Sequence, residues 1–159
     1  MTPTQRERIV VWTMRLLAGA FAVVGILFIA TPDGVLGSID EVGGWFGSFA
    51  EAPPSDEKLW VGLAFAYMVV ITGIALVVQA DVPRFRPLLL VLAAGKAASS
   101  LAGGAFFVLD DDVFAYLLNF VVDGSLVAIA LWCWALAGQV PAERDATARA
   151  PAVVAPPPG

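Results

Sequence analysis

The sequence predicts an all-α membrane protein. Four transmembrane helices form a bundle with both termini cytoplasmic, and a short amphipathic helix lies on the outer side between the first and second spans. Three observations carry this reading. The 159 residues are 59% hydrophobic and only 14% charged, against about 45–50% and about 25% in soluble domains. Four stretches, at about 9–30, 59–80, 87–109 and 113–137, are apolar over the length that a membrane crossing needs. That length is about 20 residues, because the hydrocarbon core is ~30 Å thick and a helix rises ~1.5 Å per residue. Finally, the arginines of the short connections all fall on one side.

Each span ends at helix punctuation. Thr31-Pro32-Asp33-Gly34 closes the first, Asp81-Val82-Pro83 the second, Asp110-Asp111-Asp112 the third, and Gly138 with Pro141 the fourth. Pro87 is expected in the first turn of the third span, where its missing N–H costs nothing. The first span exceeds the ~7–15-residue core of a secretory signal, and no A-x-A-like site precedes Thr31, so it reads as a retained helix.

Orientation follows from lysine and arginine. Arg6 and Arg8 precede the first span, Arg84 and Arg86 separate the second and third, and Arg144 and Arg149 follow the fourth. The other two connections hold Lys58 as their only base, among Asp33, Asp40, Glu41, Glu51, Asp56, Glu57 and Asp110 to Asp112. Basic loops stay cytoplasmic, so both termini face inward in a multi-pass protein of the cell membrane. Trp12, Trp132 and Trp134 then mark the inner interface, and Trp60 and Tyr116 the outer one.

In the outer connection, Val35, Leu36, Ile39, Val42, Trp45, Phe46 and Phe49 recur at three- and four-residue spacing. This predicts an amphipathic helix over about 33–50, weakened at Gly43-Gly44 and finished by Pro53-Pro54. No basic residue precedes Lys58 to attract anionic headgroups, so the segment is expected to pack on its own bundle. The transmembrane domain covers 1–138. Residues 139–159, Ala- and Pro-rich at the end, are expected to be a disordered cytoplasmic tail.

Ionisable groups at membrane depth are the informative positions, because a charge in hydrocarbon costs several kcal/mol unless paired or hydrated. Arg15 lies about 9 Å into the first span, Lys96 about 14 Å into the third, and Asp123 about 15 Å into the fourth. A tight turn joins the third and fourth spans, which brings Lys96 and Asp123 close to one level. Ala93, Ser99, Ser100 and Gly103 share the lysine's side by the three/four rule, while Tyr116 and Asn119 share that of Asp123. Gly95, Ser99 and Gly103 form a small-xxx-small series that permits close helix approach. Arg15 shares a face with Ala18, Gly19, Ala22 and Gly25, which points it into the bundle; snorkelling to the inner surface is the competing reading. Tyr67 and Thr72 offer further hydroxyls.

Lys96, Asp123, Asn119, Ser99, Ser100 and Arg15 are therefore the candidate binding cluster, and three readings of it stand. One is a buried pair that sets helix register; another is a polar cavity for a substrate, quinone or proton. In the third, the charges meet a helix of a partner in a larger complex. No catalytic residue and no metal site is expected. Histidine is absent and Cys133 is the only cysteine, which removes histidine catalysis, histidine-ligated metals and dithiol redox chemistry. Cys133, between Trp132 and Trp134, reads as a packing residue, and Asp110 to Asp112 as a solvated acidic turn rather than a cation site. A net charge of −5 without a basic patch excludes nucleic-acid binding.

Arg15-Leu16-Leu17-Ala18-Gly19-Ala20-Phe21 early in the first span, Pro32 closing it, and Arg84-x-Arg86-Pro87 before the third give the chain a resemblance to the DoxX-like group of small four-helix bacterial membrane proteins. It extends over about 9–137. The resemblance implies the same architecture and, because some members are subunits of quinone-linked oxidoreductases, a quinone as the one cofactor to consider. The residues themselves identify none. Three function classes follow. The first is a non-enzymatic accessory subunit that docks on a larger membrane complex or on copies of itself. The second is a small transporter or lipophile-binding protein built on Lys96, Asp123 and Asn119 around a midplane cavity. An enzyme is the third class, with Lys96 as its only acid/base, a role that Asp123 beside it weakens.

Overall fold

The computed structural model describes residues 4–55 and 57–149. It is all-helical, with α1 Gln5–Ala30, α2 Pro32–Gly43, α3 Lys58–Ala80, α4 Val82–Leu109 and α5 Phe114–Arg149. Four of the five, α1, α3, α4 and α5, are long and apolar enough to cross a membrane. They run up and down around a ring in which α4 packs along α5 and α1 along α3, while α3 meets α4 and α1 meets α5.

Local chemistry explains the helix starts. Thr4 caps α1, its hydroxyl accepting from the Glu7 N–H at 3.2 Å. Thr31 is a corner: its N–H donates to the Leu27 carbonyl to finish α1, and its own carbonyl accepts from Val35 N–H to begin α2 behind Pro32. Asp81 caps α4 by accepting from Arg84 N–H at 3.2 Å. The third long helix therefore starts at Val82, not at Pro87. Pro83 takes the early proline position, and Pro87 lies inside the helix. Pro87 has no N–H to give to the Pro83 carbonyl, a defect close enough to the start for the helix to continue.

Two further boundaries correct the sequence reading. The outer helix expected over 33–50 stops at Gly43, and the chain turns through Gly44. Gly43 lies against the Phe114 ring, where a Cβ would come within 2.7 Å of Cγ. Trp45 and Phe46 thus leave the helical stripe and are 76% and 74% exposed. Phe49 packs instead on Phe107 and Phe114, and Ala50 pairs with Val113 as an isolated bridge. The tail expected from residue 139 is helical through Arg149, with Pro141 inside it. The lost hydrogen bond is offset because Val140 is buried in the core with Val10 and Met14, and because Arg144 contacts Glu7 at 2.7 Å. Residues 150–159 lie outside the described residues.

The core is made of small and medium side chains. Val10, Met14 and Ala18 of α1, Ala75 and Val78 of α3, Leu89 of α4, and Cys133 and Ala137 of α5 form one buried cluster. Phe21, Ile71, Leu92, Ala93 and Ala130 form the next. Alanines at these crossings let helix backbones approach closely, which strengthens dispersion contacts.

Candidate functional site

Lys96 is the largest of the fully buried side chains, 2% exposed, and Asp123 is 5% exposed. The Lys96 Nζ donates to Asp123 Oδ1 at 2.9 Å. α4 and α5 leave adjacent ends of a tight turn, so their chains bring the two residues opposite each other, as the hairpin argument expects. Two aromatic rings complete the surroundings of the ammonium. Phe21 of α1 lies 4.4 Å from it, ring centroid to Nζ, and Tyr67 of α3 lies 5.1 Å away. Each long helix thus places one side chain at the same point. The rings face a cation with their electron-rich surfaces, an attraction that grows when water is excluded.

The remaining polar candidates divide into two groups. Asn119 Nδ2 donates to the Ser99 carbonyl at 3.0 Å and to Ser99 Oγ at 3.3 Å. The Ser100 hydroxyl donates to the Phe120 carbonyl at 2.7 Å. These three residues bind α4 to α5 beside the ion pair, and their hydrogen bonds go to the helices themselves. Arg15 is elsewhere. Its side chain is exposed, and the guanidinium lies 5.1 Å from the Trp12 ring, one turn back along α1. Burying a guanidinium in this small-residue core would need a second carboxylate, whereas the exposed position lets it stack on Trp12. The expectation that Arg15 points into the bundle is corrected.

The small-residue series on α4 also divides. A Cβ at Gly103 would stand 2.9 Å from the Tyr116 carbonyl oxygen and 2.8 Å from Asn119 Nδ2, so this glycine permits the α5 contact. Gly95 faces α3 instead, with Tyr67 Oη 3.2 Å from where its Cβ would be. That hydroxyl, like Thr72 Oγ1, is buried and has no hydrogen-bond partner among the described residues.

Phe21 was not among the sequence candidates, and Tyr67 was named only for its hydroxyl. An apolar aromatic on α1 carries no signal until the neighbours of α4 are known. Arg86 is the other residue whose role needed the structure. It donates to the Trp134 carbonyl at 2.9 Å, lies 3.9 Å over that ring, and fills the space left by Gly138. Among the described residues, no group of three or more acidic or cysteine side chains could hold a metal ion.

Chemically, the arrangement is an ion pair withdrawn from solvent and closed over by rings. It can hold four helices in one register. For the lysine to act as a base or a ligand, Asp123 would first have to release it. No family model, no curated protein and no solved structure matches the chain.

Proposed function

We propose that the chain is a multi-pass integral membrane protein, N-in and C-in, whose Lys96–Asp123 pair is a structural clamp. In this reading it serves as a non-enzymatic accessory partner of a larger membrane complex. One observation carries the clamp: α1, α3, α4 and α5 each contribute a side chain to a pair exposed by no more than 5%. Arg6, Arg8, Arg84, Arg86 and Arg144 gather at the end where α1 begins and α5 closes, as the pairing of Arg144 with Glu7 requires. That clustering supports the cytoplasmic assignment. The outward-facing aromatics Trp12, Trp132 and Trp60 supply interfacial belts at the two ends. Arg15, reaching towards Trp12, is a snorkelling residue in this setting.

A second reading has a specific observation in its favour. The Tyr67 ring lies beside the lysine, and its hydroxyl is buried without a hydrogen-bond partner among the described residues, a group that a polar atom of a lipophile or quinone would satisfy. The two are separated by melting the detergent-solubilised protein with and without a ubiquinone analogue, alongside Lys96→Met and Tyr67→Phe. The clamp predicts no ligand shift in any protein and a fall in melting temperature for Lys96→Met alone. A rise with quinone that Tyr67→Phe abolishes while remaining folded would replace the clamp with a binding site. Orientation is read from cysteines introduced at Ser48 and Ala146. Only the first should react with an impermeant maleimide in intact cells.

A further inference from the structure

The outward face of α1 carries two unpaired charges. Arg8, Trp12 and Arg15 follow one another at intervals of four and three residues, so they line one face of the helix. All three are exposed. Leu16, Gly19, Val23 and Ile26 continue that side of α1 and are exposed as well, so it is a side that a bilayer would meet. Arg15 lies ten residues after Gln5, about 15 Å along the axis from the helix start. Its guanidinium, 5.1 Å from the centre of the Trp12 ring, reaches back one turn towards Arg8. Other arginines at this end are occupied. Arg6 pairs with Glu143 at 3.8 Å, Arg144 with Glu7 at 2.7 Å, and Arg86 donates to the Trp134 carbonyl. Among the described residues, neither Arg8 nor Arg15 has a carboxylate partner. None of the residues three or four positions from either arginine is acidic.

We infer that Arg8 and Arg15 form a binding site for the phosphate of one anionic phospholipid, of the phosphatidylglycerol type, in the cytoplasmic leaflet. The inference rests on the membrane reading above. A guanidinium on a lipid-facing surface at this depth is costly unless an anion or water meets it. The bundle supplies no anion there, and the phosphate of a neighbouring lipid is the one that the bilayer does supply. Arginine suits that partner, since its planar fork can donate two N–H groups to one phosphate. Arg15 reaches up from below and Arg8 lies one turn beyond Trp12, so the two flank the level of the indole, which itself favours the headgroup boundary. Charge selects the headgroup. The face offers two cations and no carboxylate, so a net negative lipid is attracted, whereas the ammonium of phosphatidylethanolamine meets only like charge. Below Arg15, nothing lies within 4 Å of where a Gly19 Cβ would stand, which leaves the path of an acyl chain along the helix open.

The experiment is native mass spectrometry of the protein in mild detergent, with palmitoyl-oleoyl phosphatidylglycerol and the matching phosphatidylethanolamine added in equal amounts. Wild type should retain one phosphatidylglycerol in preference to phosphatidylethanolamine. Arg8→Gln and Arg15→Gln should each lower that preference about fivefold, and the double variant should lose it, all with the wild-type circular dichroism. Arg84→Gln removes an exposed arginine at the same end, on α4, and should change nothing. Equal retention of the two lipids by wild type, a preference that survives in the double variant, or an equal loss in Arg84→Gln would each overturn the inference. The wild-type comparison decides even where a variant does not fold. Alkaline carbonate treatment of membranes tests the underlying reading separately. Extraction of the protein sinks the membrane assignment, whereas a protein that resists extraction but shows no lipid preference sinks the phosphate site alone.

Discussion

Removing one member of the Lys96–Asp123 pair should cost far more than removing both. At 2.9 Å, and with an effective dielectric of about 20, the attraction is about 6 kcal/mol. Desolvation of two ions costs several kcal/mol each, so the net contribution of the intact pair is small. Asp123→Asn leaves the ammonium among Phe21, Tyr67 and an amide, with its charge uncompensated. Lys96→Met preserves the stem's volume but leaves a carboxylate that must either stay charged or take up a proton. Each single substitution should therefore cost about 3–5 kcal/mol. The double variant retains one asparagine amide without its partner, a loss of about 1–3 kcal/mol. The expected coupling between the sites is thus about 3 kcal/mol or more. The assay is equilibrium unfolding of the micelle-bound protein by SDS titration, followed by tryptophan fluorescence. If the double variant lost the sum of the two single losses to within about 0.5 kcal/mol, the residues would be acting independently and the clamp would be refuted.

The glycines give a graded set of substitutions. Gly103→Ala drives a methyl into the Tyr116 carbonyl and should destabilise by about 1–3 kcal/mol in the same titration; Gly19→Ala, with nothing within 4 Å, should be neutral or slightly stabilising. Gly43→Ala meets Phe114 at 2.7 Å, so it should loosen the packing of Phe46 and Phe49 on that ring and speed proteolysis between α2 and α3. Arg86→Lys keeps the charge but loses the planar stack on Trp134, and a fall of about 1 kcal/mol in unfolding free energy would show it. Arg144→Ala should cost less than about 1 kcal/mol, and added salt should shrink that cost, because the partly exposed pair with Glu7 is screened.

The four long helices were legible because their signal is local: each is a run of apolar residues between punctuation marks. The Lys96–Asp123 contact was legible for a related reason, since a tight turn makes α4 and α5 neighbours and depth follows from counting residues. The errors have non-local causes. Gly43-Gly44 read as a weak point inside a longer helix, but the Phe114 ring from a distant part of the chain occupies the space that a further side chain would need. Gly138 and Pro141 read as a stop, yet burial of Val140 and the charges at the start of α1 hold the last turns of α5 together.

Composition and periodicity alone determined the number of long apolar helices, the stretches they are built on and the closeness of one lysine to one aspartate, since these depend on order along the chain. Tertiary structure decided that Phe21 and Tyr67 cover the lysine, that Arg15 turns outward, and that α2 stops where Gly43 meets the Phe114 ring. Those facts depend on which helix lies beside which and at what rotation. Helix periodicity places residues on a face, but only packing determines what that face meets.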